Sequence, residues 1–168
     1  MGDVEIGGWD KIHAFRNPPP HLLEKEIAKF PDWLVWNALI SPKLELIHAT
    51  AKNIGGDAYR IEVAVQNTGY LPSYVSKWAL QRKQSRGLLA EIALPAGAKL
   101  VSGKLREAAG ELECRAYKHT LMSFWTDTTP TADRTKLAWV VRASKGGSVD
   151  VVVKHEKAGT VRVKIKLA

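Results

Sequence analysis

Apolar and charged residues alternate strictly at the end of this chain. Val161, Val163, Ile165 and Leu167 interleave with Arg162, Lys164 and Lys166, and Val149, Val151 and Val153 interleave with Asp150 and Val152. Side chains of an extended chain point to opposite faces in turn. A period of two therefore predicts two strands, each with one face in a core and one in water. Lys157-Ala158-Gly159 between them is short enough for a hairpin and supplies a glycine for positive φ. An antiparallel sheet with a wet face belongs to sandwiches rather than to parallel α/β enzymes.

The same reading predicts strands over 43–53, 58–67, 87–94, 99–105, 110–118, 136–143, 148–154 and 160–167. Turn signals separate them: Gly55-Gly56-Asp57, Asn67-Thr68-Gly69, Pro95-Ala96-Gly97, Ala109-Gly110 and Lys145-Gly146-Gly147. The predicted fold class is mainly β, an immunoglobulin-like antiparallel β-sandwich of 7–8 strands preceded by a short helical connector. Segment 70–84, with Val75, Trp78 and Ala79, fits either a strand or a short helix, and 123–135 reads as a long polar loop.

Before Pro42 the period changes. Asn17-Pro18-Pro19-Pro20 marks an extended stop and a helix start, with Asn17 able to cap and proline suited to a first turn. Leu22, Leu23, Ile27 and Phe30 then fall at helical spacing, opposite Glu24, Lys25, Glu26 and Lys29. Pro31 interrupts or kinks that helix, and Asp32 can cap a second one over 33–40. This second helix is apolar nearly all round, so Trp33, Trp36 and Leu39 are candidate docking residues against the sheet domain or a neighbouring domain. The expected organisation is thus 1–42 as a tail plus helical connector and 43–168 as the sandwich.

Composition narrows the partners. The chain has 168 residues, 45% of them apolar, enough for one domain with an appendage. No run approaches the roughly 18 uninterrupted apolar residues of a membrane helix. Met1-Gly2-Asp3-Val4-Glu5 has no basic segment leading into an apolar one, so no secretory leader is expected. The abrupt, strand-like start is expected of a piece of a longer protein. Cys114 is the only cysteine, which excludes an internal disulfide and a thiolate cluster, and it reads as a small core residue. Residues 1–42 hold four Lys/Arg and six Asp/Glu, whereas 43–168 hold twenty-one and eleven. The resulting surplus of positive charge in the sandwich is spread singly along strands without interleaved aromatics. It reads as solvated sheet faces and not as a nucleic-acid interface.

Val65-Gln66-Asn67-Thr68-Gly69 resembles the V-x-N-x-G signature of bacterial adhesion-type, immunoglobulin-like modules, in which the turn ends a strand tightly before a long excursion. Val4-Glu5-Ile6-Gly7-Gly8-Trp9, then Asn17-Pro18-Pro19-Pro20-His21-Leu22-Leu23-Glu24, then Ser41-Pro42-Lys43-Leu44, resembles the C-terminal region of large bacterial zinc carboxypeptidases. The resemblance spans nearly the whole chain. It implies that 1–16 is the tail of a peptidase domain, 17–42 a connector and 43–168 a non-catalytic accessory domain. That domain would dock on, stabilise or present the peptidase domain of the same chain. The zinc would sit in the parent's catalytic domain with no cofactor in this fragment, and the parent would be secreted or held in the cell envelope.

The residues themselves offer little catalysis. His21-Leu22-Leu23-Glu24 has the two-ligand spacing of a zinc site, with His119 as a conceivable third, but it lies in a proline-led helix start where Glu24 simply favours the helix dipole. Glu5 reads as a polar strand position. His13, His48, His119 and His155 have no carboxylate at a helpful spacing and read as surface or half-buried. Ser73, Ser76, Ser85, Ser123 and Ser148 lack a Gly-x-Ser-x-Gly context, and Gly146-Gly147 precedes a strand rather than a phosphate-binding helix. No catalytic or metal residue is assigned. The alternative to an accessory role is a module binding cell-wall glycan or another polyanion. Trp125, Tyr70 and Tyr74 would be its candidate exposed aromatics, Trp78 a further member of a stacking platform, and Trp139 part of the core.

Overall fold

The structure, a computed structural model, describes residues 2–4, 6–8, 10–74, 76–115 and 131–168, with only the backbone at 13 and 14. The expectations for Glu5, Trp9, Val75, His119, Ser123, Trp125 and most of the 123–135 loop lie outside the described residues, as does the side chain of His13. The chain forms two compact units, Met1–Leu39 and Ile40–Ala168.

The first unit is helical. A π-helical turn, Lys11–Arg16, is closed by bonds five residues apart, Phe15 N–H to Asp10 O (3.1 Å) and Asn17 N–H to Ile12 O (3.0 Å). The side chain of Asn17 also donates to Ile12 O (3.0 Å), so it does not cap the next helix; Pro19 occupies that position without a side-chain bond. Helix α1 spans Pro20–Ile27 and α2 spans Phe30–Leu39. Pro31 falls in the first turn of α2, where its missing N–H has no intrahelical partner to lose. The chain therefore restarts after Ala28–Lys29 instead of kinking, and Asp32 lies in the first turn, where the dipole favours an acid.

The second unit is a sandwich. Its described strands are β1 (Leu44–Gly55), β2 (Ala58–Asn67), β3 (Leu89–Ala93), β4 (Lys99–Ser102), β5 (Arg106–Ala108), β6 (Arg134–Arg142), β7 (Ser148–His155) and β8 (Gly159–Lys166). One antiparallel sheet runs β1-β2-β6-β4 and the other β5-β3-β7-β8. With β5 set aside, the order is first-second-fifth-fourth against third-sixth-seventh, the strand order of an immunoglobulin constant-type sandwich. β5 adds a short edge to the second sheet beside β3.

The alternation puts the apolar set inside. Tyr59, Ile61, Val63 and Val65 of β2 and Leu137, Trp139 and Val141 of β6 meet Ala90 and Ile92 of β3 and Val149, Val151 and Val153 of β7 in one core. Full burial of each large member stabilises by about 1.5–3 kcal/mol. Trp139 keeps its polar edge satisfied, its Nε1–H donating to Lys104 O (2.9 Å). The hairpin β7–β8 closes at the His155–Gly159 pair, with Gly159 at φ 89°, which a side chain would disfavour.

One strand expectation needs correction. The expected strand at 110–118 is displaced: β5 is Arg106–Ala108, and the described residues 110–114 form no ladder. Their backbone bonds go elsewhere, Ser73 N–H to Leu112 O (2.9 Å), Glu113 N–H to Ala132 O (2.9 Å) and Arg115 N–H to Gly69 O (3.2 Å). Leu112 and Cys114 are buried nonetheless, so the apolar pattern that mimicked a strand is real while the ladder is not. Segment 70–84 contains a short helix, α3 (Lys77–Gln81), started by the Ser76 Oγ accepting from Ala79 N–H (3.2 Å).

Candidate functional site

The end of β2 is where the chain commits its buried polar groups. Asn67 is fully buried and every bond its side chain can make is made. Oδ1 accepts from Lys43 N–H (3.0 Å) and Gly69 N–H (3.0 Å), and Nδ2 donates to Leu71 O (2.8 Å) and Glu113 O (3.0 Å). One amide thus ties the start of β1, the turn after β2 and the 111–114 segment together. Gly69 permits that close approach: a Cβ there would lie 2.2 Å from Ser41 O and 2.6 Å from Pro42 Cα.

Next to it lies a second hub, Glu111. Its Oε2 accepts from Ser73 Oγ (2.5 Å) and its Oε1 from Ser85 Oγ (2.6 Å), while Ser73 Oγ accepts from Leu112 N–H (2.8 Å). The His155 side chain is buried against it, Nε2 3.4 Å from Glu111 Oε2. His155 Nδ1 accepts from Lys157 N–H and Ala158 N–H (both 3.2 Å), so Nε2 carries the ring proton and Nδ1 holds the β7–β8 turn. Tyr74 donates its phenolic O–H to Glu113 Oε1 (2.7 Å), and burial, with Glu113 adding to it, raises the phenol above its ordinary value.

A serine, a histidine and a carboxylate gathered in one place invite comparison with nucleophilic catalysis, but the connectivity differs. A hydrolytic serine gives its proton to the imidazole, and a carboxylate orients the imidazole from the other side. Here both hydroxyls donate to the carboxylate, and the far nitrogen of His155 is occupied by backbone. The arrangement binds loops to the sheet ends. His155 is the residue that sequence reading missed: it is buried and beside a carboxylate, not surface or half-buried. Forty-four positions separate the two, and only the alternation of β7, which turns position 155 inward with Val153, hinted at burial.

The sequence-predicted binding aromatics that are described differ in exposure. Tyr70 is exposed at 51%, whereas Tyr74 is a correction: it is buried at 6% and engaged with Glu113, so it offers no ring face to a ligand. Trp125 lies outside the described residues. Trp78 is exposed, with the Arg82 guanidinium 4.0 Å from its ring centroid, and Trp139 is core. The docking candidates Trp33, Trp36 and Leu39 are all exposed, together with Leu34 and Val35. Among the described residues, no three His, Cys, Asp or Glu side chains are grouped to hold a metal ion, and no helix is long and apolar enough to cross a membrane.

Strand order, core and buried staples define an immunoglobulin-like β-sandwich module with a helical segment ahead of it. The chain belongs to the family described as Domain of unknown function (DUF8731), which matches residues 43–166, the sandwich from the first residue before β1 to the last of β8. A search of curated proteins gave no match.

Proposed function

We propose that this chain is a non-catalytic accessory module that docks through α2 on a larger catalytic partner and stabilises it. The observation behind this reading is α2 itself. Trp33, Leu34, Val35, Trp36 and Leu39 are 57, 60, 59, 55 and 76% exposed on a single ten-residue helix. Covering five half-exposed side chains of this size would contribute about 5 kcal/mol before the losses of association. The hydrogen-bonded hubs at Asn67 and Glu111, which hold loops to the sheet ends, support a scaffolding role. The resemblance of 1–44 to the region that follows the catalytic domain of bacterial zinc carboxypeptidases makes that domain, in the same polypeptide, the proposed partner. On this reading the zinc belongs to the partner, and the parent works outside the cell or in its envelope.

The test is a Trp33→Ser/Trp36→Ser double variant, studied in the polypeptide that joins this chain to the peptidase domain. The sandwich should unfold at its usual temperature, while the peptidase domain melts several degrees lower and is cut faster by trypsin. A separately expressed peptidase domain should co-elute with the unaltered chain and not with the variant. Unchanged melting, proteolysis and co-elution would refute the docking role.

A further inference from the structure

The outward face of the second sheet carries a cleft of about 780 Å³ where β3 begins and β7 ends, within the range of small-ligand sites. Ala108, Leu89, Lys154 and Thr160 stand in one row across all four strands, in register as Leu89–Ala108, Leu89–Lys154 and Lys154–Thr160. They face away from the core, because their strand neighbours Ala90, Val153 and His155 are buried. Gly87 and Gly159 border the row and leave it open. Leu89 and Ala108 make one half of the floor apolar, Lys154 and Thr160 make the other half polar, and Arg86 and Arg106 stand at the rim.

The rim is built in place. Leu88 N–H donates to Gly110 O (2.7 Å) and Ala109 N–H to Leu88 O (2.7 Å), clamping the chain just after Arg86. Gly87 makes the clamp tight, since a Cβ there would fall 2.6 Å from Gly110 O. Arg106 and Lys154 are both held by Glu91, at 3.3 and 2.9 Å, so their side-chain freedom is already restricted. Arg86 lines the same cleft and, among the described residues, makes no ion pair. Three cations stand against two carboxylates, Glu91 and the lining Glu156, which leaves one surplus positive charge.

We infer that this cleft binds a monoanionic carboxylate carried on an apolar body, with Arg86 as the main anion contact and Leu89 and Ala108 under the apolar part. A guanidinium pairs with a planar carboxylate through two parallel bonds. The single surplus charge fits a carboxylate better than a phosphomonoester, which approaches two negative charges at neutral pH. The site is on the sandwich and does not depend on α2 or on the docking reading.

The experiment is a two-dimensional amide NMR titration of the full chain with sodium octanoate, 1-octanol, sodium acetate and octyl phosphate. Octanoate should bind with a Kd of about 1 mM, as expected for a ligand of about ten heavy atoms. Shifts should centre on Leu88, Leu89, Ala108 and Thr160. Octanol and acetate should each bind about tenfold more weakly, octyl phosphate no more tightly than octanoate, and Arg86→Ala should weaken octanoate about tenfold with the spectrum otherwise intact. Shifts confined to α2, equal binding by Arg86→Ala, tighter binding of octyl phosphate, or no saturation by about 10 mM would each overturn the assignment.

Discussion

Replacing Asn67 with alanine removes four hydrogen bonds made by a fully buried side chain and leaves two N–H groups and two carbonyls, buried or part-buried, without that partner. A buried polar group without a partner costs about 1–3 kcal/mol, so the four together could reach about 4–12. Water entering the vacated amide volume would recover part of that, and we expect about 4 kcal/mol. Against a domain stability of about 5–15 kcal/mol this is a large fraction. For a unit of this size it corresponds to a fall in Tm of roughly 15 °C. The control is Asn53→Ala. Asn53 also accepts from one N–H (Gly55, 2.9 Å) and donates to one carbonyl (Gly56, 3.0 Å), but in the exposed β1–β2 turn. Its loss should cost under about 1 kcal/mol, because water replaces both partners. Asn67→Asp sharpens the argument, since it turns two donors into acceptors facing Leu71 O and Glu113 O. The introduced carboxyl would have a folded pKa above its unfolded value. The variant should therefore be least damaged in acid and lose stability as pH rises through the folded value. Urea unfolding followed by far-ultraviolet circular dichroism across pH 3–8 measures all three. Equal losses at positions 67 and 53 would refute the claim that burial, not bond number, sets the cost.

Gly69→Ala should destabilise by several kcal/mol, because the new methyl would sit 2.2 Å from the Ser41 carbonyl and backbone must move; a Tm within about 2 °C of the parent would contradict that packing. Ser73→Ala should cost about 2 kcal/mol and Ser85→Ala about half as much, since Ser73 Oγ serves both Glu111 and Leu112 N–H while Ser85 Oγ serves Glu111 alone, and urea midpoints rank them. The hydrogen bond from Lys154 holds the Glu91 carboxyl below its ordinary value, and Lys136 does the same for Glu62. Lowered folded values mean stability that is present above the unfolded pKa and lost as pH falls through the folded one. Lys154→Met should therefore shallow the acid limb of stability as pH falls below the ordinary carboxylate value, and an unaltered limb in a pH series of melts would contradict the pairing.

Much of the architecture was legible in the residues. Strict alternation in β7 and β8, a run from Ala58 to Asn67 bounded by turn signals, and glycines at the hairpins determined an antiparallel sandwich, because side-chain direction in an extended chain is a local property. The proline-led helices and the apolar character of α2 were local for the same reason. Where the 111–114 segment finds its hydrogen bonds was not local. Leu112 and Cys114 alternate like a strand, yet the backbone of Leu112 and Glu113 bonds to positions 67, 73 and 132 instead of to a ladder. The hubs at Asn67 and Glu111 and the cleft between Arg86 and Lys154 likewise join groups tens of residues apart. Only tertiary structure decides such meetings, since desolvation and bond geometry act on distance in space, about which separation along the chain says nothing.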